Sequence, residues 1–218
     1  MKPESQGGAR AADAAPRWDG PGLEAWMPWT PEEVTKRLAG VATPWCLVGG
    51  WAIDVWFGRQ TRSHADIELT LPRSGFSAMR GHLAGFELRT VGQGEVRRLA
   101  PGRLPPADRH QCWVLDPAAG SWRLDLMLDP GDAHTWIFRR DHRIQAPRGE
   151  ITQRRDGIPY LKPEAVLLFK ARSPRPKDEA DFAVSLPALG AAARAWLAAA
   201  LTLIHPGHHW LGQLGQAG

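Results

Sequence analysis

The stretch that decides the fold is GGWAIDVWFGRQTRSHADIEL, residues 49–69. A short apolar run, residues 45–48, precedes its two glycines and predicts a buried strand. Residues 52–57 are then predicted to form a helix that stops at Gly58. Glycines between a strand and a helix let the backbone approach a ligand closely and present N–H groups at the helix start, which favours phosphate oxygens.

Two carboxylates follow on the next predicted strand, residues 66–71, where polar and apolar residues alternate. Alternation puts Asp66 and Glu68 on one face, about 6 to 7 Å apart. A second alternating strand, residues 122–129, carries Asp125, which meets the first two if the strands are neighbours. Because clustered carboxylates repel one another without a cation, all three are candidate Mg²⁺ ligands, for two ions and a phosphoryl or nucleotidyl substrate.

Basic residues in two segments are candidate partners for the phosphates. The first group follows the glycines and comprises Arg59, Arg62 and His64, together with Thr61. The second comprises Lys170, Arg172 and Lys177, in LLFKARSPRPKDEADF, residues 167–182. Asp178 and Asp181 are expected to pair with basic neighbours there, and the alternative for this segment is a solvated helix face.

Length and composition limit the other possibilities. The chain has 218 residues, enough for one core domain with a small helical cap, and a net charge of +4 that suits an anionic partner such as a nucleotide. Cys46 and Cys112 lie far apart and outside any CxxC pair, so we expect neither disulfides nor zinc, and a reducing cytoplasm. No apolar run approaches the roughly 20 residues that span a bilayer. We expect no membrane or nucleic-acid partner.

The rest of the chain alternates helix and strand signals, which predicts an α/β (α+β) fold. Further helices are predicted at residues 30–38, 72–83, 163–171, 178–185 and 191–204. Further strands are predicted near residues 86–91, 111–115, 137–139 and 150–153, with a long loop over 92–110.

The motif set Gly-Gly-Trp, Arg-x-His-x-Asp-Ile-Glu and a later strand Asp resembles the polymerase-β-type nucleotidyltransferases, in particular the small enzymes that modify aminoglycosides or lincosamides. The resemblance covers roughly residues 45–185. It implies a mixed sheet flanked by helices, with Gly49 and Gly50 on a triphosphate and Asp66 and Glu68 on the metals. It gives Asp125 to the metals too, and makes it the candidate general base. Glu68 stands where Asp is more common in that family.

The resemblance further implies transfer of a nucleoside monophosphate from a nucleoside triphosphate, ATP being expected, to an antibiotic hydroxyl. We expect an aminoglycoside acceptor, with a lincosamide as the alternative. A polycationic acceptor would need carboxylates, and the candidates are Glu95, Asp108, Asp129 and Asp132. Trp113 and Trp136 are candidate stacking platforms, whereas Trp45, Trp51, Trp122 and Trp196 are expected in the core.

Two other classes of protein are alternatives. His64-Ala65-Asp66 resembles the H-x-D of antibiotic and protein kinases, but the position five residues after the Asp is Leu71 instead of Asn, and neither a kinase glycine loop nor a Walker A motif is present. A third hypothesis is an inactive protein of the same fold that serves only as a binding partner. The intact set of three carboxylates argues against it.

The expected domain organisation has four parts. Residues 1–25 form a disordered leader rich in Ala, Gly and Pro, and residues 26–160 form the nucleotidyltransferase core. Residues 161–210 form a C-terminal helical region, and residues 211–218 a flexible tail.

Overall fold

The structure is a computed structural model that describes residues 20–215. Its helices are α1 (Pro31–Arg37), α2 (Gly49–Phe57), α3 (Phe76–His82), α4 (Arg148–Ile151), α5 (Pro163–Lys170), α6 (Pro176–Ser185), α7 (Ala191–Ile204) and α8 (Trp210–Leu214). Its strands are β1 (Cys46–Val48), β2 (Glu68–Pro72), β3 (Glu87–Gly92), β4 (Glu95–Arg98), β5 (Gln111–Asp116), β6 (Ser121–Asp129), β7 (Thr135–Ile137), β8 (Gln145–Pro147), β9 (Thr152–Arg155) and β10 (Ile158–Leu161).

Eight of these strands form one mixed sheet, in the order β4-β3-β5-β6-β2-β1-β10-β9, and β7 pairs with β8 in a separate ribbon. Strand β2 is parallel to β6, and β1 is parallel to β10, whereas the other neighbours are antiparallel. Helices flank this sheet, so the predicted mixed α/β architecture is confirmed. The central strands β1, β2 and β6 are those that the quoted stretch and Asp125 predicted.

The turn from β1 into α2 forms as the tandem glycines predict. Gly49 is the first residue of α2 and has φ +65°, a left-handed conformation that favours glycine. Gly58 ends the helix, also in the left-handed conformation. At the first helix of the chain, Thr30 and Glu33 form the capping box that the sequence predicts.

The register of β2 on β6 separates a core face from a polar face. Leu69 lies opposite Leu126, and both side chains are fully buried. One residue earlier on each strand, Glu68 lies opposite Asp125 on the other face. The predicted alternation on both strands is therefore confirmed, and it places two carboxylates side by side.

The structure differs from the predicted elements mainly at the edges of the sheet. The predicted loop 92–110 contains β4, which lies at one edge and pairs with β3. The predicted strand at 150–153 is divided between α4 and β9, and β8 and β10 were not predicted. Short strands such as these are held by backbone pairing with a neighbour, and their charged or proline-containing sequences carry little periodic signal.

The ends of the chain also differ in part from the expected domain bounds. Residues 1–19 and 216–218 lie outside the described residues. At the end of the predicted leader, the carbonyl groups of Gly22 and Ala25 accept hydrogen bonds from Trp122. In the predicted tail, α8 buries Leu214 together with Trp210, which stacks on Phe182 of α6. Packing against the C-terminal helices, which the local sequence does not reveal, accounts for this helix.

No helix within residues 20–215 has the length and apolar character needed to cross a bilayer. Cys46 and Cys112 are free thiols in the core, and burial raises the pKa of each to about 12.

Candidate active site

The centre of the site is the carboxylate pair Glu68 and Asp125. The two residues are direct partners on parallel strands, so their Cα atoms are about 4.8 Å apart. Asp125 is 3% exposed, and its Oδ2 accepts a hydrogen bond of 2.5 Å from Gln111 Nε2. Among residues 20–215 its buried Oδ1 meets no hydrogen-bond donor with good geometry, although the indole of Trp113 on β5 lies close enough to lower the pKa of Asp125. A carboxylate oxygen without a well-formed hydrogen bond is available as a metal ligand.

Burial and mutual repulsion raise the pKa values of this pair. Burial, and then the charge of Asp66, raises the pKa of Glu68. Burial, and then the charge of Glu68, raises the pKa of Asp125 well above its usual range. A divalent cation would neutralise two adjacent carboxylates and remove the repulsion that raises their pKa values. The pair therefore fits Mg²⁺ chemically.

Asp66 lies in the loop two residues before Glu68 and is half-buried. Within residues 20–215 no three His, Cys, Asp or Glu side chains are arranged to hold one metal ion. The structure thus brings Glu68 and Asp125 together, and Asp66 close enough to affect both pKa values. Its role as a third metal ligand stays a prediction.

The N-terminus of α2 lies directly beside this pair. A Cβ atom added at Gly49 would collide with the carboxylate of Glu68, and one at Gly50 would collide with the side chains of Arg62 and His64. A side chain at either position would have to displace these groups, and the positive φ of Gly49 also favours glycine. The side chains over Gly50 come from the segment between α2 and β2, and the one over Gly49 comes from the first residue of β2. The predicted role of Arg62 and His64 as phosphate partners stays a prediction.

His64 and Arg62 are held by hydrogen bonds within the protein. Arg62 Nη1 donates to His64 Nδ1 at 3.0 Å, so His64 carries its proton on Nε2 and donates it to Asp54 Oδ2 at 2.5 Å. Burial lowers the pKa of His64, which agrees with a neutral imidazole. Asp54 also accepts hydrogen bonds from Thr61. These hydrogen bonds hold the side chains together beside the start of α2.

A second network of hydrogen bonds joins Arg62 to the C-terminal helices. Arg62 donates to both carboxylate oxygens of Asp181, at 2.8 and 2.9 Å. Lys170 Nζ lies 2.9 Å from Asp181 and 2.8 Å from Asp178, which also accepts a hydrogen bond from Arg175 Nε at 2.8 Å. The predicted pairing of both aspartates with basic neighbours is confirmed, and it fixes Lys170 next to Glu68.

The pH dependence of stability should report this network. Although burial acts to raise it, hydrogen bonds from Arg175 and Lys170 lower the pKa of Asp178 below its usual range. Because the unfolded-state value is about 3.9, the stabilisation is complete above that value and is lost as the pH falls toward the folded-state pKa. We expect the difference in unfolding free energy between wild type and Asp178→Asn to shrink from about pH 5 to pH 3. Urea unfolding at each pH measures it, and an unchanged difference would contradict the assignment.

Two connected cavities open beside Glu68. The smaller, about 70 Å³, is lined by Gly50, Trp51, Arg62, His64, Asp66, Lys170, Arg175 and Lys177. The larger, about 300 Å³, is lined by apolar residues of β1, β6 and α5 and by five basic residues, Arg139, Arg140, Lys170, Arg172 and Arg175. Val48, Glu68, Lys170 and Arg175 line both. The site is thus an anionic pair at the edge of a cationic hollow.

Several predicted site residues lie elsewhere. Arg59 lines a separate surface hollow, with its guanidinium over Phe57. Glu95 pairs with Arg97 on the edge strand β4. Asp132 accepts hydrogen bonds from the backbone of the turn that precedes β7. The structure gives these three residues local roles and does not bring them to Glu68, because each is held by neighbours close in sequence.

The two predicted platforms and Asp129 have different surroundings. Trp136 is 1% exposed and packs against Phe169, so it is a core residue and offers no stacking face. Trp113 lies opposite Asp125 on β5 and packs edge-on against Trp26. Asp129 lines the larger cavity, but both its oxygens accept hydrogen bonds from Arg148.

Four residues of the site were not predicted. Gln111, which holds Asp125, could have been found from the period of two, since it shares a face with Trp113 on β5. Arg175 lies in the basic segment 167–182 and could have been found there from its charge. Arg139 and Arg140 follow β7 and carry no local signal, because only the fold turns them toward the site.

Part of the chain matches a family of known proteins. The family model described as aminoglycoside-2''-adenylyltransferase matches residues 32–99, less than half of the chain, a range that includes both glycines, Asp66 and Glu68. A comparison with curated protein sequences gave no significant match.

Solved structures with a similar fold include antibiotic-modifying proteins. The solution structure of the antibiotic-resistance factor ANT(2'')-Ia has a TM-score of 0.52 at 19% identity, covering 80% of this chain and 90% of that one. The crystal structure of ANT(2'')-Ia in complex with adenylyl-2''-tobramycin has a TM-score of 0.48 at 20% identity, covering 79% and 95%. Lincomycin-bound LnuA, a lincosamide antibiotic adenylyltransferase, has a TM-score of 0.48 at 16% identity, covering 70% and 91%.

The large mixed sheet and its flanking helices have a fold similar to that of nucleotidyltransferase structures. Within that class the chain resembles the small antibiotic nucleotidyltransferases, as its motifs predict and as the family match supports.

Proposed function

We propose that this protein transfers a nucleoside monophosphate from a nucleoside triphosphate, ATP in the first instance, to a hydroxyl group of an aminoglycoside. The observation that carries the proposal is the position of the Glu68–Asp125 pair. It lies between the N-terminus of α2 and a cationic hollow, in a chain that matches the aminoglycoside-2''-adenylyltransferase model. Carboxylates for a metal beside cations for phosphates are what nucleotidyl transfer needs.

In the proposed reaction the acceptor oxygen bonds to the α-phosphorus, the bond from that phosphorus to the bridging oxygen of the β-phosphate breaks, and pyrophosphate leaves. Asp125 accepts the hydroxyl proton, and Gln111 orients its carboxylate through the hydrogen bond to Oδ2. Lys170, Arg175 and Lys177 compensate the negative charge of the phosphates. Mg²⁺ held by Glu68 and Asp125, with Asp66 as a further candidate, would supply additional charge neutralisation at the phosphates.

The arrangement of charge separates the two substrates. The cationic cavities on the β1 and α5 side of Glu68 suit the nucleotide and would repel a polycationic acceptor. The acceptor is therefore proposed to approach from the side of Asp66 and Asp125. Because the reaction consumes a nucleoside triphosphate, we place the protein in the cytoplasm, and we propose neither a nucleic-acid nor a membrane partner.

A lincosamide is the second candidate acceptor, and the positions of the carboxylates favour it. Glu95 is paired with Arg97, Asp132 accepts hydrogen bonds from backbone N–H groups of its own turn, and Asp129 is paired with Arg148. The described residues thus gather fewer free carboxylates than several drug ammonium groups would use. A less highly charged acceptor makes a smaller demand on this surface.

Product analysis tests the proposed function. Incubation with Mg²⁺, ATP and a panel of aminoglycosides and lincosamides should add the mass of one nucleoside monophosphate to a drug and release one equivalent of pyrophosphate. Mass spectrometry of the drug and a pyrophosphate assay measure both products. A mass gain of one phosphoryl group would instead support the kinase hypothesis. Which drugs of the panel are modified distinguishes the two acceptor classes.

A further inference from the structure

A further cavity lies at the start of α5, away from Glu68. It has a volume of about 440 Å³, within the usual range for a small-molecule site, and it shares no lining residue with the two cavities beside Glu68. The proposed transfer reaction does not use it. We call it the α5 cavity, and its walls include Trp56, Glu150, Lys162, Glu164, Leu189 and Trp196.

Glu164 is a buried carboxylate in the wall of the α5 cavity. It is the second residue of α5 and is 7% exposed. Burial raises its pKa, and its own backbone N–H and the charge of Lys162 act in the opposite direction. Among residues 20–215 no cation forms an ion pair with it and no other side chain donates to it. A position in the first turn of a helix suits an anion but does not require burial. A bound cation would compensate this buried charge.

Two tryptophans line the same cavity from different helices. Trp56 lies near the end of α2 and Trp196 lies on α7, and both are partly buried against the core. Indole rings offer a large apolar surface, and their faces attract cations. Glu150, an exposed residue of α4, adds a second carboxylate to the lining. Aromatic surface beside carboxylates suits an ammonium ion that carries an apolar body.

Two features of the α5 cavity would instead favour an anion. Lys162 is a partly exposed cation in the lining, and α7 begins at Gly190 without a side-chain cap. The lysine provides one positive charge against two carboxylates. The start of α7 is exposed to solvent, where a helix terminus contributes little to binding a charge. The balance of charge in the lining is therefore negative.

We propose that the α5 cavity binds a small organic ammonium ion with an aromatic or apolar body. Its ammonium group pairs with Glu164, and its body packs against Trp56 and Trp196. The inference goes beyond the proposed transfer reaction and does not depend on it, because the α5 cavity contains none of the residues assigned to that reaction.

Calorimetric titration of the full-length protein near neutral pH, without nucleotide or Mg²⁺, tests the proposal. The probe is 2-phenylethylammonium, and two molecules of similar size are compared with it: neutral 2-phenylethanol and anionic 3-phenylpropionate. We expect the ammonium ion to bind about tenfold or more tightly than the alcohol, as a charge-assisted hydrogen bond predicts, and the carboxylate to bind most weakly.

Three variants locate the binding site. Glu164→Gln keeps the size of the side chain and removes its charge, so the ammonium ion should lose its tenfold advantage while the alcohol binds as before. Lys162→Gln removes the opposing cation and should strengthen ammonium binding about two- to fivefold. The matched control is Glu95→Gln on β4, which lies outside the α5 cavity and should bind all three probes like wild type.

The outcomes decide the proposal without reference to transfer activity. Loss of the ammonium preference in Glu164→Gln, at an unchanged Tm, supports the site. If that variant does not fold, stronger ammonium binding in Lys162→Gln supports it instead. Wild-type protein that does not bind the ammonium ion, or binds it no better than the alcohol, overturns the proposal. Tighter binding of the carboxylate also overturns it and assigns the cavity to an anion, and ammonium binding that is unchanged in folded Glu164→Gln places the amine elsewhere.

Discussion

Replacing Asp125 by Asn is expected to reduce kcat/KM for nucleotidyl transfer by about 10³-fold or more. The substitution keeps the size of the side chain but removes the proposed proton acceptor and one of the two paired carboxylates. General-base catalysis alone accounts for about 10² to 10⁴ in rate, and a weakened metal site adds to the loss. Steady-state kinetics with saturating ATP and Mg²⁺ measures the change.

The same variant should fold at least as well as wild type without metal. Asp125 is buried beside Glu68 and has a raised pKa, so its charge opposes folding near neutral pH. An equal or higher Tm with lost activity therefore separates a catalytic defect from a folding defect. The control is Asp108→Asn, an exposed aspartate outside both cavities, which should keep wild-type activity. Activity within tenfold of wild type in Asp125→Asn would remove Asp125 from the catalytic role.

Replacing Asp181 by Ala is expected to cost about 3 kcal/mol of unfolding free energy. Asp181 is 2% exposed and accepts hydrogen bonds from Arg62 and Lys170, so its loss leaves two cations facing each other at the junction of α5, α6 and the loop before β2. The value is at the lower end for a broken buried pair, because Arg62 keeps some contact with solvent. Urea unfolding monitored by tryptophan fluorescence measures it.

An exposed ion pair provides the comparison. Glu95→Ala removes a carboxylate that pairs with Arg97 on β4, where both side chains are about half exposed or more, and it should change the unfolding free energy by less than about 1 kcal/mol. Equal costs for the two variants would show that the Asp181 network does not hold the C-terminal helices to the core.

Several parts of the fold and site were determined by local sequence. The glycine pair after an apolar run predicted the turn from β1 into α2, since few other residues permit φ +65°. The period of two predicted that Glu68 and Asp125 each lie on the polar face of their own strand, because successive side chains on a strand point to opposite faces. These signals are local, and the chain carries them wherever the strands end up.

The tertiary structure alone decided which distant groups meet. The parallel register of β2 on β6 sets Glu68 against Asp125, and no local pattern encodes a pairing between segments separated by more than fifty residues. Likewise, packing of α5 and α6 on the core ties Lys170 to Asp181. The tertiary structure also brings Arg139, after β7, to the larger cavity and leaves Arg59 outside it. The sequence specifies which chemistry each segment carries, whereas burial of the apolar faces of sheet and helices determines which of these groups share one site.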